Sequence, residues 1–179
     1  GGLPFKKLSG GLAALAAPAG RMEQVVSSPT DAACYVDYAH TPDALANALK
    51  ALRPHCEGRL ICVFGCGGDR DKGKRAEMGQ IASHHADSVI ITDDNPRTED
   101  AALIRQEVLQ ACPKASEFGD RREAIRAALE IAKSGDIILV AGKGHETGQI
   151  IGDKIFPFSD HETLRGLVNE LTVGEGLDD

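Results

Sequence analysis

The sequence predicts an α/β protein of the Rossmann-like class, with a mostly parallel sheet, helices on both faces and a C-terminal hairpin. Short apolar segments such as "RLICVF" (59–64) and "DIILVAG" (136–142) alternate with amphipathic segments of helical period. Strands that are apolar throughout are typical of parallel sheets buried on both faces. Polar, glycine-rich loops follow these strands, and ligands bind at that edge of doubly wound sheets.

The first half of the chain predicts a β-type run at 32–36, a helix, a buried strand at 59–64 and a second helix. Thr41 suits the N-cap of the first helix and Pro42 its first turn. Apolar residues recur at helical spacing along one face of the first helix and then of the second: Leu45, Ala48, Leu49 and Leu52, followed by Met78, Ile81 and Ala82.

The middle of the chain continues the alternation. A third strand is expected at 88–92, and a helix from about Glu99 to Ala111 with Thr98 as its cap. Asp120 and Glu123 then have the spacing of a capping box, which predicts the start of another helix.

Near the C-terminus the pattern changes from a strand to a hairpin. An apolar strand is expected at 136–142, and Gly152-Asp153 suits a two-residue type II′ turn within "QIIGDKIFPF". Ser159 and Glu162 are placed to cap a last helix.

Composition excludes several classes of protein. The chain has 20 Lys and Arg against 27 Asp and Glu, a net charge of −7, which argues against nucleic-acid or anionic-membrane binding. No apolar run approaches the roughly 18 residues of a membrane span, and no signal peptide opens the chain. The five cysteines form no C-x2-C pair, so we expect reduced thiols in a cytosolic setting and no metal site.

The segment "GDRDKGKR" (68–75) is close to the phosphate loop G-x-x-x-x-G-K-[ST] of nucleotide-binding enzymes. Arg75, however, stands where that loop needs a hydroxyl to hold Mg²⁺, and the carboxylates of Asp69 and Asp71 would face the anion. Three interpretations remain open: an ATP phosphate site, a solvated charged loop, or a loop that presents Arg70 to a carboxylate, which arginine binds bidentately.

Two further loops carry charged side chains at strand ends. "DDNPR" presents Asp94, Asn95 and Arg97 around Pro96, whose ring restricts the backbone on both sides. "AGKGHE" supplies glycines that permit close backbone approach, together with Glu146. Arginines with acids are the combination that a zwitterionic amino acid needs, since cations bind its carboxylate and anions its ammonium group.

Five motifs in order resemble one protein family: "GRMEQV", "DYAHTPDAL", "FGCGGDRDKGKR", "TDDNPR" and "AGKGHE". They resemble the C-terminal third of Mur ligases, in the branch that adds the third residue of the peptidoglycan stem peptide. The resemblance runs from residue 21 to about residue 165. It implies a bacterial, cytoplasmic, ATP- and Mg²⁺-dependent ligase that joins meso-diaminopimelate to UDP-N-acetylmuramoyl-L-Ala-D-Glu, without nucleic-acid or membrane partners.

The resemblance also implies roles for individual residues. Those that match the family's amino-acid site, and so imply contact with diaminopimelate, are Arg70, Asp94, Asn95, Pro96, Arg97, Gly142 and Glu146. Arg21 and Asp37 match residues that close over ATP, and His40 is a weaker match near the same face. The family's phosphate loop and its catalytic and Mg²⁺-binding residues belong to a central domain, so no catalytic residue and no metal ligand is expected in this chain.

The expected division of the chain follows from the same comparison. Residues 1–20 are rich in Gly and Ala and begin without Met, and we assign them to the tail of the central ATP-binding domain or its linker. Residues 21–172 form the amino-acid-binding domain, and 173–179 a flexible tail. A piece of this kind is expected to be inactive alone.

The chemistry of diaminopimelate agrees with the implied site. Arg70 and Arg97 can hold the carboxylate distal to the reacting amine, while Glu146 and Asp94 take the distal ammonium group. Lysine lacks that carboxylate and would leave two desolvated arginines unpaired, which disfavours it.

Two rival interpretations stay open: a stand-alone nucleotide-binding enzyme that uses 68–75 as a phosphate loop, and a non-catalytic module whose charged loops contact another protein. Convergence of Arg70, Arg97 and Glu146 on one cavity would favour the ligase interpretation.

Overall fold

A computed structural model describes residues 21–175 of the chain. The segment expected to be a linker, 1–20, lies outside the described residues, as do 176–179 of the expected tail. Residues 173–175 belong to the last helix. No helix within the described range is both long and apolar enough to span a membrane.

A six-stranded sheet forms the centre of the described part. Its spatial order is β1-β2-β6-β3-β4-β5, with β1 antiparallel to β2 and all other neighbours parallel. The strands are β1 (Glu23–Ser27), β2 (Ala33–Asp37), β3 (Leu60–Phe64), β4 (Ser88–Thr92), β5 (Ser116–Phe118) and β6 (Ile137–Ala141). A separate hairpin pairs β7 (Gly148–Ile151) with β8 (Lys154–Pro157). The predicted Rossmann-like class, with its hairpin, is therefore confirmed.

Helices cover both faces of the sheet. They are α1 (Pro42–Leu52), α2 (Gly73–His85), α3 (Ala101–Ala111), α4 (Arg121–Ile131) and α5 (Asp160–Glu175), and a short 3₁₀ turn (Arg53–His55) follows α1. Alternate residues of β3 enter opposite cores, because side chains alternate along a strand. Leu60, Cys62 and Phe64 pack with α1–α3, whereas Ile61 and Val63 pack with α4 and α5.

Most of the predicted helix starts are confirmed. Thr41 Oγ1 accepts a hydrogen bond from Ala44 N (3.3 Å), and Asp120 Oδ1 accepts from Arg122 N (2.7 Å). Ser159 Oγ accepts from Glu162 N (3.4 Å). In the hairpin, Gly152 adopts φ +61°, the left-handed value that the first position of the predicted turn requires.

The predicted cap of α3 was wrong. Asp100, not Thr98, caps this helix, with Oδ1 accepting from Ala102 N (2.8 Å) and Leu103 N (3.4 Å). The hydroxyl of Thr98 instead donates to Asp69 Oδ1 (2.8 Å), so a tertiary contact competes successfully for the side chain. Strands β1 and β5 were not predicted, since both lie at the sheet edges and neither is apolar throughout.

All five cysteines are free thiols. Four are buried, and burial raises the pKa of the Cys62 and Cys66 thiols to about 12. These thiols stay protonated at neutral pH and are therefore unreactive.

Candidate functional site

The polar loops that follow β2, β3, β4 and β6 meet at the carboxyl edge of the sheet. Insertion of β6 between β2 and β3 brings the loop after β6 beside the others. They enclose a cavity of about 220 Å³ whose lining includes six of the seven predicted amino-acid-site residues: Arg70, Asp94, Asn95, Arg97, Gly142 and Glu146. Pro96 is buried next to the lining. Tyr38 and Lys74 also line the cavity, although the sequence did not predict either as a residue of the amino-acid site.

Acidic and amide groups form one side of the cavity. Asp94 and Asn95 are 8% and 6% exposed, and Glu146 is half-buried. Asn95 Nδ2 donates to Glu146 Oε2 (3.3 Å). Beneath them the fully buried ammonium group of Lys143 lies 3.2 Å from Asp94 Oδ1 and donates to Asn95 Oδ1 (3.0 Å).

Two arginines form the basic side. Arg97 adopts φ +53°, and its Nη1 donates to Gly68 O (2.8 Å) and Asn95 O (3.3 Å). These bonds leave Nε and Nη2 without an acceptor within residues 21–175. Arg70 is exposed, and its Nη1 donates to Asp69 O (3.2 Å). Each guanidinium therefore keeps donors available for an anionic ligand.

The hairpin fixes the backbone of the "DDNPR" loop. Arg97 N donates to Ile150 O (3.1 Å) and Gly152 N donates to Arg97 O (2.6 Å), which together form a parallel bridge. The side-chain amide of Gln149 donates to Asp94 O (2.7 Å). These contacts hold Arg97 in a left-handed conformation that is strained for a residue with a Cβ atom.

Glycines in the loop after β3 serve close packing. A Cβ atom at Gly65 would lie 2.3 Å from Thr92 O, and one at Gly68 would lie 1.9 Å from Pro96 O. Both distances are far below van der Waals contact. These glycines allow the Arg70 loop to lie directly against the Arg97 loop, so the glycine that suggested a phosphate loop has a packing role.

Asp69 joins the same two loops. Its carboxylate accepts from Thr98 N (3.1 Å) and Thr98 Oγ1 (2.8 Å), and its own N–H donates to Glu99 Oε1 (2.6 Å). The hydrogen bonds from Thr98 lower the pKa of the Asp69 carboxyl. These bonds direct the Asp69 carboxylate toward the Arg97 loop.

Arg75 weighs against one of the three interpretations of "GDRDKGKR", the ATP phosphate site. Its side chain is 1% exposed and points toward α3, where Nη2 pairs with Glu99 Oε1 (2.8 Å) and Nη1 with Glu107 Oε2 (2.9 Å). It therefore anchors α2 to the segment that includes α3. The phosphate-loop interpretation has no support in this geometry, since that position does not face the cavity.

Replacing Arg75 by serine, which completes the phosphate-loop pattern, is expected to add no ATP affinity. The change should lower the free energy of unfolding by about 2 kcal/mol, because two carboxylates lose their partner and a buried side chain is truncated. Calorimetric titration with ATP and urea unfolding measure the two effects. Arg70→Ser, at an exposed neighbour, is the control and should cost little stability. A gain of ATP binding in Arg75→Ser would restore the phosphate-loop interpretation.

Glu99 gives the fold a defined acid sensitivity. The hydrogen bond from Arg75 lowers the pKa of Glu99 to about 2, from an ordinary value of 4.5. Because this pKa is lower in the folded than in the unfolded protein, the ionised Glu99 stabilises the fold at pH values above 4.5. This stabilisation is lost as the pH falls from 4.5 toward 2. We expect Glu99→Gln to show a shallower loss of unfolding free energy across this window than the wild type. Urea unfolding at several pH values tests this, with the exposed Glu77→Gln on α2 as control; equal slopes would contradict it.

A second, larger cavity of about 510 Å³ adjoins the first. Its lining includes the three residues assigned by resemblance to the ATP side, Arg21, Asp37 and His40, and it shares Tyr38 and His40 with the smaller cavity. The Asp37 carboxylate already accepts from Met22 N (2.6 Å) and Ala39 N (2.7 Å). Arg21 and His40 are exposed. In the described range no group of three or more His, Cys, Asp or Glu side chains is arranged to hold a metal ion.

A buried ion pair supports the floor of the site. Arg121 and Asp160 have fully buried side chains, with Nε–Oδ1 and Nη2–Oδ2 distances of 2.8 Å. Arg121 also donates to Ala141 O (3.0 Å) and Asp93 O (3.4 Å), the carbonyl oxygens that close β6 and follow β4. This pair could not be predicted from the sequence, where its only local signal is an Arg and an Asp at two helix starts.

Comparison with known proteins agrees with this geometry. A family model described as "Mur ligase, glutamate ligase domain" matches residues 20–144. The UDP-N-acetylmuramoyl-L-alanyl-D-glutamate–2,6-diaminopimelate ligase of Agrobacterium fabrum is 55% identical over 170 residues, which is 95% of this chain and 35% of that protein. The chain thus spans about a third of the length of the curated relatives it matches.

Solved structures show the same relation. A structure of a ligase with that name superposes with a TM-score of 0.81 at 41% identity, covering 94% of this chain and 35% of the other. A folylpolyglutamate synthase/dihydrofolate synthase from Yersinia pestis, solved with AMPPNP and a Mn ion, superposes with a TM-score of 0.58 at 22% identity. The match covers 95% of this chain and 35% of the synthase chain. The latter likeness concerns the fold alone. On the match to the family model and to these close relatives, the chain belongs to the Mur ligase family.

Proposed function

We propose that this chain is the amino-acid-binding domain, 21–172, of a MurE-type ligase, which adds meso-diaminopimelate to UDP-N-acetylmuramoyl-L-Ala-D-Glu in peptidoglycan synthesis. The observation that carries the proposal is the convergence of Arg70 and Arg97 with Asp94 and Glu146 on one cavity of about 220 Å³. A module that only contacted another protein would not require these side chains to share a concave site.

The charges of the cavity match one end of a diamino dicarboxylic acid. Arg97 has unused donors on Nε and Nη2, and Arg70 lines the same cavity, so the two can hold a carboxylate. Asp94 and Glu146 offer acceptors for the adjacent ammonium group. With one amino-acid end held here, the second amine of diaminopimelate is free to react outside the cavity.

The same charges provide selectivity against lysine. Lysine has no distal carboxylate, so binding it would desolvate Arg97 and Arg70 without giving them a partner. Leaving charges desolvated by the ligand but unpaired is an effective way to reject a near-isosteric ligand.

ATP and Mg²⁺ are assigned mainly to the remainder of the parent ligase, in the bacterial cytoplasm. The larger cavity, with the exposed guanidinium of Arg21, fits a part of a nucleotide, and we assign its closing surface to Arg21 and Asp37, with His40 beside them. Since Asp37 already accepts two backbone N–H groups, its contribution is to hold this surface in shape. Among the described residues, no cluster of three or more His, Cys, Asp or Glu side chains is arranged to hold a metal ion.

An NMR titration of the 179-residue chain with meso-diaminopimelate tests the proposal, because it detects weak binding. The amide signals of residues 65–70 and 142–146, and of Asp94, Asn95 and Arg97, are expected to shift and saturate. L-Lysine is the matched ligand control and should produce no saturable shifts there. Equal shifts with lysine, or shifts elsewhere on the chain, would contradict the proposed site.

A further inference from the structure

Lys143 has an unusual environment for a lysine. Its side chain is fully buried, although it lies in the loop directly after β6 and next to the cavity. The ammonium group donates to Gly148 O (2.9 Å) and Asn95 Oδ1 (3.0 Å), and lies 3.2 Å from Asp94 Oδ1 and 3.8 Å from Glu146 Oε2. Burying an ammonium group is costly unless such partners surround it. Three of these four oxygens belong to side chains that line the cavity.

The contacts of Lys143 determine which way the Asn95 amide faces. Asn95 Oδ1 accepts from Lys143 Nζ (3.0 Å) and from the backbone N–H of Ile150 (2.9 Å). An ammonium group and a backbone N–H can only donate, so a flipped amide would set its NH₂ group against two donors. The Nδ2 group must therefore point the other way, where it meets Glu146 Oε2 (3.3 Å).

We propose that Lys143 is a positioning residue that, together with the N–H of Ile150, locks the Asn95 amide with its NH₂ group toward Glu146 and the amino-acid cavity. Asn95 then presents a donor to the ligand and restrains the Glu146 carboxylate. The ligand's ammonium group is left to Glu146 and Asp94, whose mutual repulsion the Lys143 charge offsets. The choice of an amino-acid ligand rests on the proposed function, whereas the locked amide rests on these contacts alone.

A purely structural role for Lys143 would predict only a loss of stability on substitution. The lock predicts in addition a local change in the unliganded site, which stability measurements do not report. The two are separable with variants of different donor capacity. Lys143→Met keeps an apolar chain of similar reach and loses the donor; Lys143→Gln keeps an N–H donor and loses the charge.

The first measurement is made without ligand. We expect a nuclear Overhauser contact between the Asn95 side-chain NH₂ protons and the Glu146 side chain in the wild type, in Lys143→Gln and in the control Lys133→Met, which changes an exposed lysine before β6. The contact should weaken clearly in Lys143→Met, in which only the Ile150 N–H still opposes a flipped amide. A contact of wild-type intensity in a folded Lys143→Met would overturn the role of Lys143 in the lock.

The second measurement is the titration with meso-diaminopimelate. Lys143→Met is expected to weaken binding at least about tenfold, and Lys143→Gln by a smaller factor. Asn95→Asp keeps the shape but places an oxygen against Glu146, and should also weaken binding at least about tenfold even if Lys143→Met fails to fold. Wild-type affinity in Asn95→Asp would overturn the proposal. If the wild type does not bind diaminopimelate, the proposed function fails, and the unliganded measurement still decides the lock.

Discussion

Arg97→Ala is expected to abolish the preference for meso-diaminopimelate over lysine and to weaken binding of meso-diaminopimelate roughly 100-fold, as is typical when one partner of a desolvated charge pair is removed. Arg97 is restrained on its backbone by the hairpin and on Nη1 by Gly68 O (2.8 Å). Its remaining donors are therefore organised before the ligand arrives, so that little entropy is lost on binding. Lysine affinity should stay low or rise slightly, since one unpaired charge has been removed.

The measurement is a pair of NMR titrations with the two amino acids on each variant, repeated as kinetics in the parent ligase. Arg97→Lys separates charge from geometry, because lysine cannot bind a carboxylate bidentately; it should recover only part of the affinity. Arg122→Ala is the control, since Arg122 pairs with Glu170 on the exposed surface between α4 and α5, where ion pairs contribute little. Unchanged selectivity in Arg97→Ala would refute the specificity argument.

Arg121→Met is expected to lower the free energy of unfolding by about 3–5 kcal/mol, the largest stability effect we expect from a single substitution. The change would leave the Asp160 carboxylate buried with no cation, and two carbonyl oxygens, of Ala141 and Asp93, without their donor. Both carbonyls lie at the carboxyl edge of the sheet. The site should therefore lose order together with the fold, which urea unfolding and the titration would report in parallel.

A double variant separates an uncompensated charge from lost packing. Arg121→Met combined with Asp160→Leu removes both charges and should recover much of the lost stability, since apolar pairs of similar volume often replace buried ion pairs without loss. Arg126→Ala on the same helix, half-buried and paired with Glu170, is the control. A double variant no more stable than Arg121→Met would show that packing, not the orphaned carboxylate, dominates.

Features that depend on neighbouring residues could be predicted from the sequence. The apolar runs of β3, β4 and β6 predicted buried parallel strands, and Thr41, Asp120 and Ser159 were identified as caps. The Thr98 cap failed because Asp69, which is 29 positions away, binds that hydroxyl in the folded chain. The edge strands β1 and β5 were not predicted, because each pairs with a single neighbouring strand and neither has a continuous apolar run.

Some residues of the candidate site could likewise be predicted from the sequence, whereas others could not. Residues at strand ends, such as Arg70, Arg97 and Glu146, could be selected because parallel strands bring such loops to one edge. Lys143 and Arg121 could not, since the importance of each comes from full burial among partners supplied by other elements. The local sequence around each residue gives no sign that its charge is buried.

The sequence by itself determined the fold class, the loops that carry the charges and the family to which they are similar. It left "GDRDKGKR" undecided, because a phosphate loop and a carboxylate-binding loop share glycines and basic residues. Tertiary structure argues against the phosphate loop, because Glu99 and Glu107, 24 and 32 positions from Arg75, draw its side chain into the protein. Gly68 packs against Pro96, and Arg70 is left facing the cavity. Local sequence fixes which groups a loop offers, whereas burial and distant partners fix which of them remain free to bind.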